Sequence, residues 1–277
     1  GTCAKFPPAH FLPPVLIKRP DRLTKKNRID KILVERGLVA SRERAQAMVL
    51  AGRVLVNGQK IEKAGASVEE DAEIRMLGDD LKYVGRGGLK LEFALDRWKI
   101  DLTGRTCLDV GASTGGFTDC MLQRGAGGVI AIDTGYGQIA ARLRADPRVR
   151  LLENTNARYL TSGQLQKTGV SGLISFATFD VSFISVTLVL PAVWQAIRDL
   201  QGASPCEWVV LVKPQFEVGR ELVGKGGIVR DEQARQSSLA KVKHAVELLG
   251  GREIEAEESP VHGMEGNREF LLHATIT

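Results

Sequence analysis

The stretch LDVGASTGGFT (108–118) carries an acid, Asp109, two positions ahead of a glycine-rich run. From Gly111 to Gly116 the run reads G-x-S-x-x-G. Glycines at this spacing turn a strand sharply into a helix and let backbone approach a ligand closely. Asp133 ends the next apolar run, 22 residues after Gly111, where an acid bonds ribose hydroxyls. Turn and acid together point to an adenosine-containing cofactor, with NAD and S-adenosylmethionine both open. Ser113 in the middle position and the leading Asp109 favour S-adenosylmethionine, which has no pyrophosphate to cradle. The candidate contacts are Asp109, Gly111, Ala112, Ser113, Gly115, Gly116, Phe117 and Asp133, with Asp180 from a later strand end.

Asp180 closes the apolar run LISFATFD, and Lys213 closes WVVLVK. In an open α/β sheet the carboxyl ends of the strands form the ligand crevice, so both residues face the site of the glycine turn. Pro214 then holds Lys213 in an extended course. Lys90 stands beside the helix-spaced stripe Leu91, Ala94, Leu95 and Trp98, where an ordinary lysine snorkels to water. Glu269 lies in the last strand expected, within GNREFLL. No metal is expected, since His and Cys do not cluster.

The elements that must position these residues are legible as alternation. RTCLDV (105–110), GVIAID (128–133), VRLLE (149–153), LISFATFD (173–180) and WVVLVK (208–213) read as strands buried on both faces. SFISVTLVLPAVWQAIRDL and DEQARQSSLAKVKHAVELLGG read as helices between or after them. The pattern predicts an α/β fold with a doubly wound, Rossmann-like sheet. Two final strands, REIEAEES and REFLLHATI, close antiparallel and suit a methyltransferase sheet better than a dehydrogenase. The loop 217–231, with Arg220, Lys225 and Arg230, reads either as a lid over RNA phosphates or as a plain flexible connection.

The N-terminal part is organised differently. RIDKILVERGLV and RERAQAMVLAG read as two helices, the second capped by Ser41, and RVLVNGQKI as a hairpin about Asn57-Gly58. With AEIRM as closing strand they form a small α+β domain over 28–80. A linker over 81–88 precedes a second domain over 89–277. Residues 1–27 are expected to be a disordered basic extension, with an RNA-contacting arm as the sharper alternative. The formal net charge is +5, and residues 1–30 hold seven Lys/Arg against two Asp/Glu. The rest of the chain is therefore balanced, and any nucleic-acid surface beyond the tail comes from local clustering. The four cysteines are scattered, which fits a reducing compartment. No apolar run approaches the roughly 20 residues needed to span a bilayer.

Two resemblances follow from these blocks. RIDKILVERGLVASRERAQAMVLAGRVLVNGQKI resembles the small RNA-binding domain of S-four type. It implies RNA docking by Lys31, Arg36, Arg42, Arg44, Arg53 and Lys60, mainly on phosphates. GRGGLKLEFAL, LDVGASTGGFT, FDVSFIS, LVKPQFE, VGKGGIVRD and VHGMEGNREFLL, in that order, resemble the TlyA family. Its members are ribosomal-RNA methyltransferases that also carry a haemolysin label, and their catalytic part is similar to the FtsJ-type ribose 2′-O-methyltransferases. This resemblance implies a catalytic tetrad at Lys90, Asp180, Lys213 and Glu269. It also implies an adenine contact from Asn156, an RNA contact from Arg86 and S-adenosyl-L-methionine as cofactor. The expected target is a cytidine ribose of ribosomal RNA, in a ribosomal subunit or assembly intermediate in the cytoplasm. A ribose hydroxyl is a weak acid, so Lys213 could take its proton or only orient it; both stay open at this stage. Positioning alone can supply roughly 7–11 kcal/mol of the barrier.

Competing readings are weaker. A pseudouridine synthase shares the N-terminal domain but needs no glycine turn. A non-catalytic assembly factor needs no intact tetrad. Direct pore formation finds no spanning segment and no membrane partner. The oligomeric state is not written in the sequence.

Overall fold

The computed structural model describes residues 25–39, 41–76, 82–169, 172–263 and 266–277. The chain divides into two units, Gly1–Asp80 and Leu81–Thr277. The disorder expected for the N-terminal extension falls, up to residue 24, outside the described residues.

The first unit runs β1 (Lys26–Arg28), α1 (Ile29–Glu35), α2 (Arg42–Leu50), β2 (Val54–Val56), β3 (Gln59–Lys60), β4 (Ser67–Glu69) and β5 (Ile74–Met76). Ser41 caps α2 by accepting from the Arg44 N–H at 3.3 Å. Asn57 and Gly58 both have positive φ (50° and 79°), the condition for a tight two-residue turn between β2 and β3. β2 pairs antiparallel with both β3 and β5, which closes the small sheet. Ile29, Leu33, Ala45, Val49 and Val54 are fully buried beneath it. One ribbon departs from the sequence reading. β1 pairs antiparallel with β4, so Lys26 and Asn27 are ordered strand residues and not part of a disordered tail.

The second unit begins with α3 (Gly87–Arg97), followed by β6 (Thr106–Val110), α4 (Gly116–Gln123), β7 (Gly128–Ile132), α5 (Ala141–Arg144) and β8 (Val149–Leu152). It continues through α6 (Ser162–Lys167), β9 (Ile174–Phe179), α7 (Leu190–Gln201), β10 (Cys206–Val212), α8 (Pro214–Glu217), α9 (Glu232–Leu248), β11 (Gly251–Glu258) and β12 (Phe270–Ile276). The seven strands lie in the order β11-β12-β10-β9-β6-β7-β8. All pairings among β6 to β10 are parallel, whereas β12 is antiparallel to both β10 and β11. Alternate strand residues feed two cores. Leu108, Ile130 and Trp208 pack with Val193 and Ile197 of α7 and Val242 of α9 on one face. Cys107, Val129 and Phe176 pack with Leu91 of α3, Met121 of α4 and Leu143 of α5 on the other. The expected doubly wound sheet with an antiparallel end is therefore present. β6 runs beside β7 on one side and β9 on the other, and a crevice opens where strand order reverses.

Three boundaries differ from the sequence reading. Residues 82–88 are not a free linker: Tyr83 is 1 % exposed, Val84 N–H donates to Asp119 at 2.7 Å, and Gly87 and Gly88 already open α3. A buried aromatic overrides the hinge signal of the neighbouring glycines. Glu269 stands one residue before β12, not within it. The helix expected from Ser182 starts at Leu190, where Pro191 sits in the first turn and needs no N–H partner.

Candidate active site

The glycine turn leaves β6 and enters α4. Gly111 has φ 91°, and a Cβ built there would lie 2.5 Å from the Asp180 carbonyl oxygen. No L side chain fits, because the turn after β6 lies against the backbone after β9. At Gly115 a Cβ would meet Leu143 Cδ1 at 2.3 Å, so this glycine serves packing against α5. Ser113 takes positive φ (49°) with its N–H donated to Asp133 Oδ2 at 2.7 Å. Asp133 Oδ1 accepts from the Gly135 N–H, also at 2.7 Å. Asp133 thus shapes the turn from the end of β7.

A cavity of about 580 Å³ opens over this turn. Its wall includes Gly111, Ala112, Ser113, Thr114, Gly116 and Phe117 from the turn, and Gly85, Arg86, Gly87 and Lys90 from the start of the unit. Asp180, Ser182 and Phe183 enter after β9, and Lys213, Gln215 and Phe216 after β10. His262, Gly263, Asn267 and Glu269 complete the opposite side, with Val223 and Gly227 above.

Lys90, Asp180, Lys213 and Glu269 therefore share one cavity, and they sit there as two ion pairs. Lys90 Nζ is 2.5 Å from Glu269 Oε2, with both residues buried. Lys213 Nζ is 2.7 Å from Asp180 Oδ1 and donates to Ser182 Oγ at 2.8 Å. Asp180 Oδ1 is buried against the Lys213 ammonium.

Of the expected cofactor contacts, Asp109, Gly115, Asp133 and Asn156 do not line this cavity. Asp109 is fully buried and accepts from Thr118 at 2.6 Å and Thr178 at 3.1 Å. Burial pushes its carboxyl up to about 7, with the negative Asp180 adding to the rise and the two threonines opposing it. Asp109 is thus an internal brace of the turn and does not face the cavity as a ligand contact would. Asn156 is exposed, and its Oδ1 caps the following turn by accepting from the Arg158 N–H at 3.1 Å.

In the first unit the expected RNA-contacting cations are partly engaged. Arg36 donates to the carbonyls of Ala72 and Glu70 and acts as a strap across the unit. Arg42 Nη2 lies 3.2 Å from the buried Asp30, which also binds Arg28 at 2.8 Å and Gln46 at 2.9 Å. Lys31 pairs with Glu35 and Lys60 with Glu62, each at 3.5 Å and exposed. Arg53 is half-buried, and Arg44 donates its backbone N–H to the Ser41 cap. Arg86, in the second unit, is exposed at the cavity wall.

Sequence reasoning missed the aromatic pair. Phe183 is 93 % exposed with φ 65°, and its ring centroid is 5.4 Å from that of Phe216. The available signal was regular: each phenylalanine stands three residues after a strand-ending charge, Asp180 or Lys213. The glycine loop over the cavity is tied at several points. Asn267 accepts from Val229 N–H at 3.0 Å and donates to the Gly227 carbonyl at 2.8 Å. Arg235 donates to the carbonyls of Val229 and Arg230, each at 3.0 Å.

Comparison with known proteins agrees with this geometry. Residues 83–275 match the FtsJ-like methyltransferase family, and residues 27–74 match the S4 domain. A putative rRNA methyltransferase YqxC of Bacillus subtilis is 44 % identical over 250 residues, covering 90 % of this chain and 86 % of that protein. The 16S/23S rRNA (cytidine-2′-O)-methyltransferase TlyA of Mycobacterium tuberculosis is 42 % identical over 252 residues, 90 % of each chain. A solved structure described as a putative hemolysin from Streptococcus thermophilus superposes with TM-score 0.69 at 42 % identity, covering 91 % of this chain and 89 % of that one. Among the described residues no helix is long and apolar enough to cross a membrane.

Proposed function

The chain belongs to the TlyA family of FtsJ-like methyltransferases with an N-terminal S4 domain, and on that premise we propose its reaction. It transfers the methyl group of S-adenosylmethionine to the 2′-hydroxyl of a cytidine ribose in ribosomal RNA, acting in the cytoplasm on a ribosomal subunit or assembly intermediate.

The cavity fits the cofactor. Gly111 lets the turn after β6 pack directly on the Asp180 backbone, and Gly111, Ala112, Ser113, Thr114, Gly116 and Phe117 line the cavity. The turn Gly111–Phe117 would hold the cofactor, with Asp133 setting the shape of that turn through the Ser113 and Gly135 N–H groups. When bound, it supplies a sulfonium-activated methyl group as electrophile. The remaining work falls to side chains of this chain. Lys213 orients the attacking hydroxyl, held at the cavity wall by its ion pair with Asp180 and its hydrogen bond to Ser182. Lys90 and Glu269 neutralise each other and fix the far wall, so the cavity keeps its charge balance when water leaves. Phe183, exposed at the mouth, offers a face on which a nucleobase stacks. The S4 domain supports RNA affinity through its Lys and Arg residues.

The observation that carries this reading is the meeting of Lys90, Asp180, Lys213 and Glu269 on the wall of the cavity that also holds the glycine turn. Incubation with methyl-labelled cofactor and undermethylated ribosomal subunits should label the RNA. Lys213→Ala should lower that rate by at least about 100-fold, the usual loss when a reacting group is misplaced. An unchanged rate in the variant would remove the assigned chemistry.

A further inference from the structure

Glu217 is a buried carboxylate that the methyl-transfer scheme does not use. It ends α8, four residues after Lys213. Its partners come from elsewhere. Oε1 accepts from the Val186 N–H at 2.7 Å, and Oε2 accepts from Ser185 Oγ at 2.5 Å. Lys241 of α9 donates to the Glu217 carbonyl at 2.9 Å and to Oε2 at 3.2 Å. Ser185 and Val186 close the segment that leaves β9, the same segment that carries Asp180, Ser182 and Phe183. One carboxylate therefore joins the loop after β9 to the short helix after β10, with the ammonium of α9 offsetting its burial. The two connections it ties are those that bring Asp180 and Ser182 against Lys213.

We infer that Glu217 is a positioning residue for methyl transfer, setting the spacing between the acid end of β9 and the lysine end of β10. This rests on the reaction proposed above. Lys241 completes the clamp by holding Glu217 through both its carbonyl and its carboxylate. The glycine turn makes no hydrogen bond to Glu217, so the rate should respond more strongly than cofactor affinity.

The test uses the full chain with Glu217→Ala and Glu217→Gln. Hydrogen exchange should rise over residues 181–187 in the alanine variant and stay at the wild-type rate over residues 108–118. Its kcat should fall about 100-fold, with the cofactor Kd held within about 2-fold. Glu217→Gln keeps an acceptor for the Val186 N–H and should recover most of the lost rate. Unchanged exchange over 181–187 would overturn the inference. So would exchange rising equally in both segments, or kcat and cofactor affinity falling together, because each marks general loosening. If the wild-type protein transfers no methyl group to RNA, the reaction assignment fails, while the exchange data still decide whether Glu217 clamps the loop.

Discussion

Asp109→Asn should flatten the pH dependence of stability, and the size of the effect follows from the burial of Asp109. The carboxyl is fully enclosed, and burial raises it from an ordinary 3.8 to about 7. The hydrogen bonds favour the ionised acid and oppose the effect of burial. Thr118 donates to Oδ2 at 2.6 Å and Thr178 to Oδ1 at 3.1 Å, which limits the rise without cancelling it. A folded-state value above the unfolded one means the folded protein binds the proton more tightly between pH 4 and 7. Stability from this group is complete below about pH 4 and is lost as pH rises to 7. About three units at roughly 1.4 kcal/mol each give ~4 kcal/mol as an upper bound. Asparagine mimics the protonated acid and carries no such slope. Urea unfolding from pH 4.5 to 8.5 should show the stability of Asp109→Asn rising relative to wild type with pH, by about 1 kcal/mol or more per unit up to pH 7. A difference that stays constant across that range would refute the buried-acid account.

Other perturbations have equally definite expectations. Glu269→Gln leaves the Lys90 ammonium buried without its anion and should destabilise the protein by about 3–5 kcal/mol, while the double variant with Lys90→Met should lose less than that; denaturant titration measures both. Gly111→Ala forces a Cβ into the Asp180 backbone at φ 91°, so calorimetry should find cofactor binding abolished together with a loss of roughly 1–3 kcal/mol in stability. Phe183→Ala should raise the RNA KM roughly 10-fold, the worth of one base stack, and leave cofactor affinity at its wild-type value. Asp30→Asn should remove part of the acid-unfolding limb below pH 4. The Arg28 guanidinium holds that carboxyl well below the usual range, and its stabilisation is lost as pH falls through the folded value.

The parallel strands were readable because they are apolar on both faces, and the glycine turn because its backbone geometry demands residue types. Lys90 gained meaning only from company: its own helix shows nothing but an apolar stripe. The β1–β4 ribbon escaped notice because Lys26-Asn27-Arg28 and Ser67-Val68-Glu69 bury little besides Val68. Residues 82–88 looked like a hinge because three glycines outweighed one tyrosine, and only the tertiary packing shows Tyr83 buried. Asp109 and Asn156 read as ligand contacts by position, and the structure adds what position does not encode: threonine hydrogen bonds to one and a capping hydrogen bond accepted by the other. Phe183, Asn267 and Glu217 acquire their places from loops that meet in space, which no periodicity encodes.

The most direct measurement is the identity of the methylated nucleoside. Undermethylated ribosomal subunits are treated with the protein and labelled S-adenosylmethionine, the RNA is digested to nucleosides, and the products are separated by liquid chromatography with mass detection. The account predicts label in 2′-O-methylcytidine, absent with Lys213→Ala. Label confined to a methylated base, or equal ribose labelling by the variant, would contradict it.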